Sequence, residues 1–244
     1  MFELILVLSA VAGGAIAGVT GFGIGSLLTP AMAWQVDARV AVAAVSIPHV
    51  IGTAFRFWLL GGHVDGRVLW SFGVMSAAGG LIGALVQTET ATPILMIIFG
   101  VLLLFSAAAE LTGVAQRMRF EGPVAYAAGA LSGVLGGLVG NQGGIRSAAL
   151  LGVDLPKRAF VATATAVGLM VDGARVPVYL WYMGERIGNI GAWVALATAG
   201  VIAGTVLGHR VLARIPERTF RRTVAVLLAM LGAAMLAQGA GGLR

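Results

Sequence analysis

Cysteine is absent from the 244 residues, so disulfides, thiolate metal sites and cysteine-relay chemistry are excluded, and thiols say nothing about the redox compartment. Charge is scarce as well: 11% of the residues are Asp, Glu, Lys or Arg, against about 25% in soluble domains. No Walker phosphate loop, metal-ligand spacing or ordered Ser/His/Asp set occurs. A membrane enzyme acting on lipid or quinone would need a clustered acid, base or metal set, so the chain does not read as an enzyme and no cofactor is expected. What is abundant is apolar, with 59% hydrophobic residues and a mean hydropathy of +0.95. An integral membrane protein is implied, long enough for six to eight spans of roughly 20 residues.

The net charge of +6 would suggest nucleic acid in a soluble chain. Here the basic residues lie mostly in short loops, where they mark the cytoplasmic side, and nucleic acid is not expected as a partner. Membrane lipid is. The first segment, Phe2 to Gly18, carries Glu3 instead of a basic n-region, so it does not read as a cleaved signal peptide.

Eight hydrophobic segments fall at about 2–35, 38–60, 67–87, 91–112, 122–152, 157–181, 187–208 and 219–238, with short turn-like stretches such as "MGERIG" between them. The first and fifth are interrupted by glycine-rich breaks, "GVTGFGIGSLLTPAM" and "GVLGGLVGNQGGIRS". Sliding the sequence by 115 sets Gly18 on Gly133, Gly21 on Gly136 and Gly25 on Gly140; beyond a four-residue insertion, a shift of 119 sets Arg39 on Arg158 and Arg56 on Arg175. This is the weak internal symmetry of a transporter built from two repeats with its ligand at the midplane.

Charge discriminates between two threadings. If all eight segments cross, one face carries eight basic residues and the other five. If each interrupted segment is a re-entrant hairpin, one face carries ten, Arg67, Arg117, Arg119, Lys157, Arg158, Arg210, Arg214, Arg218, Arg221 and Arg222, and the other only Arg39, Arg186 and Arg244. The second split is the sharper positive-inside signal. The expected fold is therefore an all-α polytopic membrane protein with two repeats of about four hydrophobic segments each, inverted, and glycine-interrupted helices, re-entrant or broken, at 2–35 and 122–152. It forms one membrane transport domain over 1–244, with repeat 1 at 1–115 and repeat 2 at 120–244. Both termini are expected outside the cytoplasm.

Irregular backbone at membrane depth is tolerated only where protein or a watery cavity satisfies it. A helix restarting after such a break points unpaired N–H groups and a positive dipole end at the cavity, which makes an anion site. Thr20, Gly21, Gly23, Gly25 and Ser26 on the first break, and Gly140, Asn141, Gln142, Gly143 and Arg146 on the second, are the candidate binding residues. Arg146 adds a fixed, forked set of donors suited to oxyanions. Arg56 and Arg175 are either interfacial, within reach of the headgroups by snorkelling, or functional, as their matched repeat positions suggest. Asp172, three residues before Arg175, either neutralises it or carries a coupling proton. His49 either titrates or hydrogen-bonds between helices. Phe55, Phe57, Trp58, Trp70, Tyr179, Trp181 and Tyr182 look like interfacial anchors.

At the two breaks the chain resembles the TauE/SafE family of sulfite and organosulfonate exporters, also called the 4-toluene sulfonate uptake permease family. The carriers are "GVTGFGIGSLLTPAM" and "SGVLGGLVGNQGGIRSAALLGVDLPKRAFVATA". The resemblance implies secondary transport of a small sulfur-containing anion, such as sulfite or sulfoacetate, across a bacterial inner membrane. Export is the expected direction, homo-oligomerisation is compatible with it, and an anion channel or a carrier for another oxyanion or carboxylate is the alternative. Members typically follow the glycines with a proline in each half. Pro30 fits, but Arg146 and Ser147 stand in the second half, where an extra arginine favours a more highly charged or differently shaped anion.

Overall fold

The computed structural model describes residues 1–114, 122–140, 143, 146, 150, 155–211 and 217–242. Among them there is no strand, as expected where each segment must satisfy its own backbone polar groups in hydrocarbon. The helices are α1 (Phe2–Thr20), α2 (Ile24–Ala33), α3 (Ala38–Leu60), α4 (Gly66–Glu89), α5 (Thr92–Thr112), α6 (Pro123–Val139), α7 (Lys157–Asn189), α8 (Gly191–Val211) and α9 (Glu217–Gly241). All but α2 and α6 are long and apolar enough to cross a bilayer. Residues Gly143, Arg146 and Leu150 are also helical.

α1 ends because Gly21 adopts a left-handed φ of 81° and returns its N–H to the Ala17 carbonyl at 2.9 Å. Gly23, with φ 128°, completes a turn that residues with a Cβ rarely adopt. α2 then doubles back along α1, with Gly23 against Ile16 and Ile24 against Gly13. α6 ends in the same way at Gly140, with φ 74° and its N–H on Gly136. The two left-handed caps, Gly21 and Gly140, are 119 residues apart, the same separation as Arg56 and Arg175.

Chain direction follows from what meets at each end. At one end Phe2 packs edge-on to Trp193, ring centroids 4.7 Å apart, and Gln87 donates to the Arg39 carbonyl at 2.9 Å. Asp37 caps α3 through the Arg39 amide and accepts from the Thr92 hydroxyl at 2.5 Å. Burial alone would raise this carboxyl, but the Thr92 hydroxyl and the Arg39 amide, side chain and charge hold it below its ordinary range, so it stays ionised. At the other end Val68, Phe72, Ala128, Leu150, Leu155 and Phe160 pack together, and the Asp65 amide donates to Thr163. The α1–α2 hairpin thus opens toward the first end, and Ala128 of α6 and Leu155 lie at the second. Gly239 and Gly242 lie on Pro93, which puts the last described residues at the same end as Phe2.

α3 packs with α7, α5 with α9, α1 with α8 and α4 with α6. The last two seams approach backbone to backbone through small residues. Side chains at Gly14 and Gly18 would meet the Val201 and Thr205 carbonyls, and side chains at Gly129 and Gly133 would meet those of Phe72 and Ser76. The stretch "MGERIG" is not a loop: α7 runs on to Asn189. Met183 and Ile187, one turn apart, are buried while Glu185 and Arg186 face outward, so the charged residues lie on the outer side of a helix rather than between two. Trp58, Trp70, Trp181 and Tyr182 lie on the outer surface, whereas Tyr179 is fully buried and donates to the Gly137 carbonyl.

Candidate functional site

The two glycine breaks meet. A side chain at Gly25, in the first turn of α2, would run into the Gly140 carbonyl, and one at Gly143 would run into the Phe22 ring. Arg146 spans the junction, donating from Nη2 to the Gly21 carbonyl at 3.0 Å. Thr20 is taken up locally, donating to the Ile16 and Phe22 carbonyls and accepting from the Phe22 amide. Ser26 is 4% exposed and bonded within the fold. Asn141 and Gln142 lie outside the described residues.

Around the tips, α3 and α7 contribute the buried charges. Arg56 and Arg175 do not snorkel: they are 2% and 1% exposed. α7 continues 14 residues past Arg175, far from the segment end from which an interfacial position was read. Arg175 donates through Nε and Nη2 to Asp172 Oδ1, at 2.9 and 2.8 Å, and through Nη1 to the Gly136 carbonyl. The other Asp172 oxygen meets His49 Nδ1 at 2.7 Å, joining α3 to α7. Asp172 therefore neutralises Arg175, and His49 makes the bond between helices. Arg56 donates from Nε to Thr165 at 2.9 Å.

Among the described residues several donors have no partner. Arg56 Nη1, Arg146 Nε and Nη1, and the hydroxyls of Thr29 and Thr53 are buried without a hydrogen bond. Unsatisfied buried donors cost about 1–3 kcal/mol each, more when charged, so the cluster carries unmet hydrogen-bonding capacity. The charge balance says the same. Among the described residues Arg56, Arg146 and Arg175 share one buried carboxylate, Asp172, so fixed positive charge exceeds negative by two before His49 is counted. None of these groups is open to either end of the bundle, so the arrangement is occluded.

Thr53 and Thr165 were not singled out from sequence, and Tyr179 was read there as an interfacial anchor. A threonine or tyrosine in a membrane helix is ordinary, and only the helices they face give them meaning.

A family model described as Sulfite exporter TauE/SafE matches residues 5–235. No curated protein and no solved structure matches the chain significantly.

Proposed function

The chain belongs to the TauE/SafE sulfite exporter family, and from that membership and the buried cluster we propose that it is a secondary carrier exporting a small sulfur-containing anion, sulfite or an organosulfonate, across a bacterial inner membrane. One observation carries the reading: Arg56 and Arg146 are buried and keep donors without partners. A charged side chain at membrane depth costs roughly 3 kcal/mol or more, and Asp172 offsets only one of three here. A dianion would balance the other two. The proposed binding set is Arg56, Arg146 and Arg175 with the tips, Thr20, Gly21, Gly23, Gly25 and Ser26 on one and Gly140, Asn141, Gln142 and Gly143 on the other. Without a nucleotide loop in the sequence, transport is secondary.

Two inverted repeats, 1–115 and 120–244, forming one transport domain over 1–244, are part of the same proposal. What supports them is exchange: swapping halves turns the α1–α8 seam into α6–α4 and maps the α3–α7 and α5–α9 pairs onto themselves. The glycine contacts follow, Gly14 on Val201 matching Gly129 on Phe72, and Gly208 on Ala15 matching Gly79 on Ala130. The end that holds Arg67 and Arg158, the side to which the re-entrant threading gives ten basic residues, is assigned to the cytoplasm, with both termini outside. The repeats rock about the anion to alternate access.

The test is counterflow in proteoliposomes of purified protein with radiolabelled sulfite and a panel of sulfonates. Saturable, mutually competed counterflow is expected. Flux that never saturates would favour a channel, and folded protein that moves no sulfur anion would remove the substrate class.

The His49–Asp172 pair is proposed as the site of a coupling proton. His49 faces Asp172 and Arg175 on α7, with Arg146 in electrostatic range. With a sulfonate, whose charge does not change near neutrality, wild-type transport should rise as pH falls on the loading side. His49→Gln should flatten that response; a profile unchanged from wild type would dismiss the pair.

A further inference from the structure

Shifting the chain by 119 aligns the centres of α3 and α7 three times over: His49 with Gly168, Thr53 with Asp172, and Arg56 with Arg175. The two arginines therefore have equivalent positions and opposite circumstances. Beside Arg175 stands a carboxylate, which accepts from that arginine and, across the helix pair, from His49. Beside Arg56 stands Thr53, uncharged, and both the Thr53 hydroxyl and Arg56 Nη1 are buried without a partner. Where His49 would stand on the second side, Gly168 leaves the helix bare. A Cβ there would lie 3.0 Å from Arg146 Nη1 and 3.5 Å from Thr53 Cγ2, so the unpartnered guanidinium nitrogen of Arg146 and the threonine converge on that glycine.

We infer that the carried oxyanion occupies the counterpart of the Asp172 carboxylate: a seat beside α3, formed by Thr53, Arg56 and Arg146 and floored by Gly168, off the midpoint between the hairpin tips. The inference rests on the carrier reading above and narrows it. Asp172 is a resident carboxylate on one side of the pseudo-twofold axis, and the substrate supplies the matching oxygens on the other. Among the described residues every free group lining the seat donates: two guanidiniums and a hydroxyl. The carboxylate of the cluster is already held by Arg175 and His49. Such a seat takes a compact, doubly charged oxyanion in preference to a singly charged one. The seat also narrows the proposed binding set: Arg175, with Nε, Nη1 and Nη2 all engaged, acts within it by positioning Asp172 and the α6 end, and Arg56 and Arg146 make the contacts to the anion.

Thr53→Asp tests this directly, because it supplies the missing carboxylate to Arg56 from the chain itself. Sulfite should raise the melting temperature of purified wild-type protein and drive counterflow. In Thr53→Asp the sulfite-dependent rise should vanish and counterflow fall at least tenfold, while the melting temperature without sulfite is no lower than wild type. Thr53→Val, which keeps the shape and removes the hydroxyl, and Gly168→Ala, which crowds Arg146, should each raise the half-saturating sulfite concentration by about tenfold. Unchanged half-saturation in Thr53→Asp would overturn the seat. So would a larger rise in Thr29→Val, beside Gly140 at the tips, than in Thr53→Val. If wild-type protein shows neither stabilisation nor counterflow with sulfite or any sulfonate, the carrier reading itself fails, and the seat with it.

Discussion

Replacing Asp172 by asparagine should destabilise the protein by about 3–5 kcal/mol, the usual cost of removing one partner from a buried ion pair. The carboxylate accepts from Arg175 and His49 at once, and without it three guanidiniums share an occluded interior with no buried counter-charge among the described residues. In detergent the melting temperature should fall by on the order of 10 °C, and counterflow should be lost. The double variant Asp172→Asn, Arg175→Gln removes the orphaned charge with its partner and should be milder than Asp172→Asn alone, since a neutral pair escapes the desolvation penalty. An Asp172→Asn protein that melts like wild type would mean that the arginines are compensated elsewhere and that the charge excess argued above is not real.

Gly25→Leu should insert into the membrane normally and transport nothing. Its Cβ would fall on the Gly140 carbonyl, a backbone atom at the cap of α6 that cannot swing aside as a side-chain tip would. Overpacking of this kind costs about 1–3 kcal/mol, which a membrane protein can survive, but here the strain separates the two tips whose contact the proposed mechanism requires. Gly140→Leu should behave similarly, with the added cost of a left-handed φ of 74° for a residue with a side chain. Gly62→Ala and Gly66→Ala, where an added Cβ meets nothing within 4 Å, are the controls expected to transport at the wild-type rate. Wild-type transport by Gly25→Leu would remove the contact of the tips from the mechanism.

Much of this was legible because hydrocarbon is a strict solvent. Long apolar runs became helices, and glycines flanked by polar residues became breaks, because few other local structures satisfy the backbone at that depth. α3 was bounded correctly from sequence, Ala38–Leu60, since Asp37 is a side-chain cap and Leu60 is followed by two glycines. The end of α7 was misread for the converse reason: Glu185, Arg186 and two nearby glycines look like a loop until Met183 and Ile187 are seen to be buried beneath them. The depth of Arg175 was misjudged with it. Tyr179 looked interfacial by its neighbours Trp181 and Tyr182, although it lies on the other side of the same helix, against Gly137. Thr53 and Gly168 carried a usable signal all along. The repeat alignment that pairs Arg56 with Arg175 also pairs a threonine with the aspartate, and that mismatch identifies the arginine left without a counter-charge.

The imbalance of two cations in the occluded interior also has an electrical meaning. A carrier loaded with a dianion and no coupling proton presents a neutral package to the membrane field, so in that form the crossing of the cargo is nearly indifferent to voltage. The empty carrier is the charged species. With the cell interior negative, the field drives its two uncompensated guanidiniums back toward the cytoplasmic orientation, supplying at most about 4.6 kcal/mol per cycle at 100 mV if they traverse the whole drop. On this arrangement the membrane potential pulls on the returning protein rather than on the departing anion, and polarising the membrane should speed the reset step while leaving the exchange of one bound anion for another unaffected.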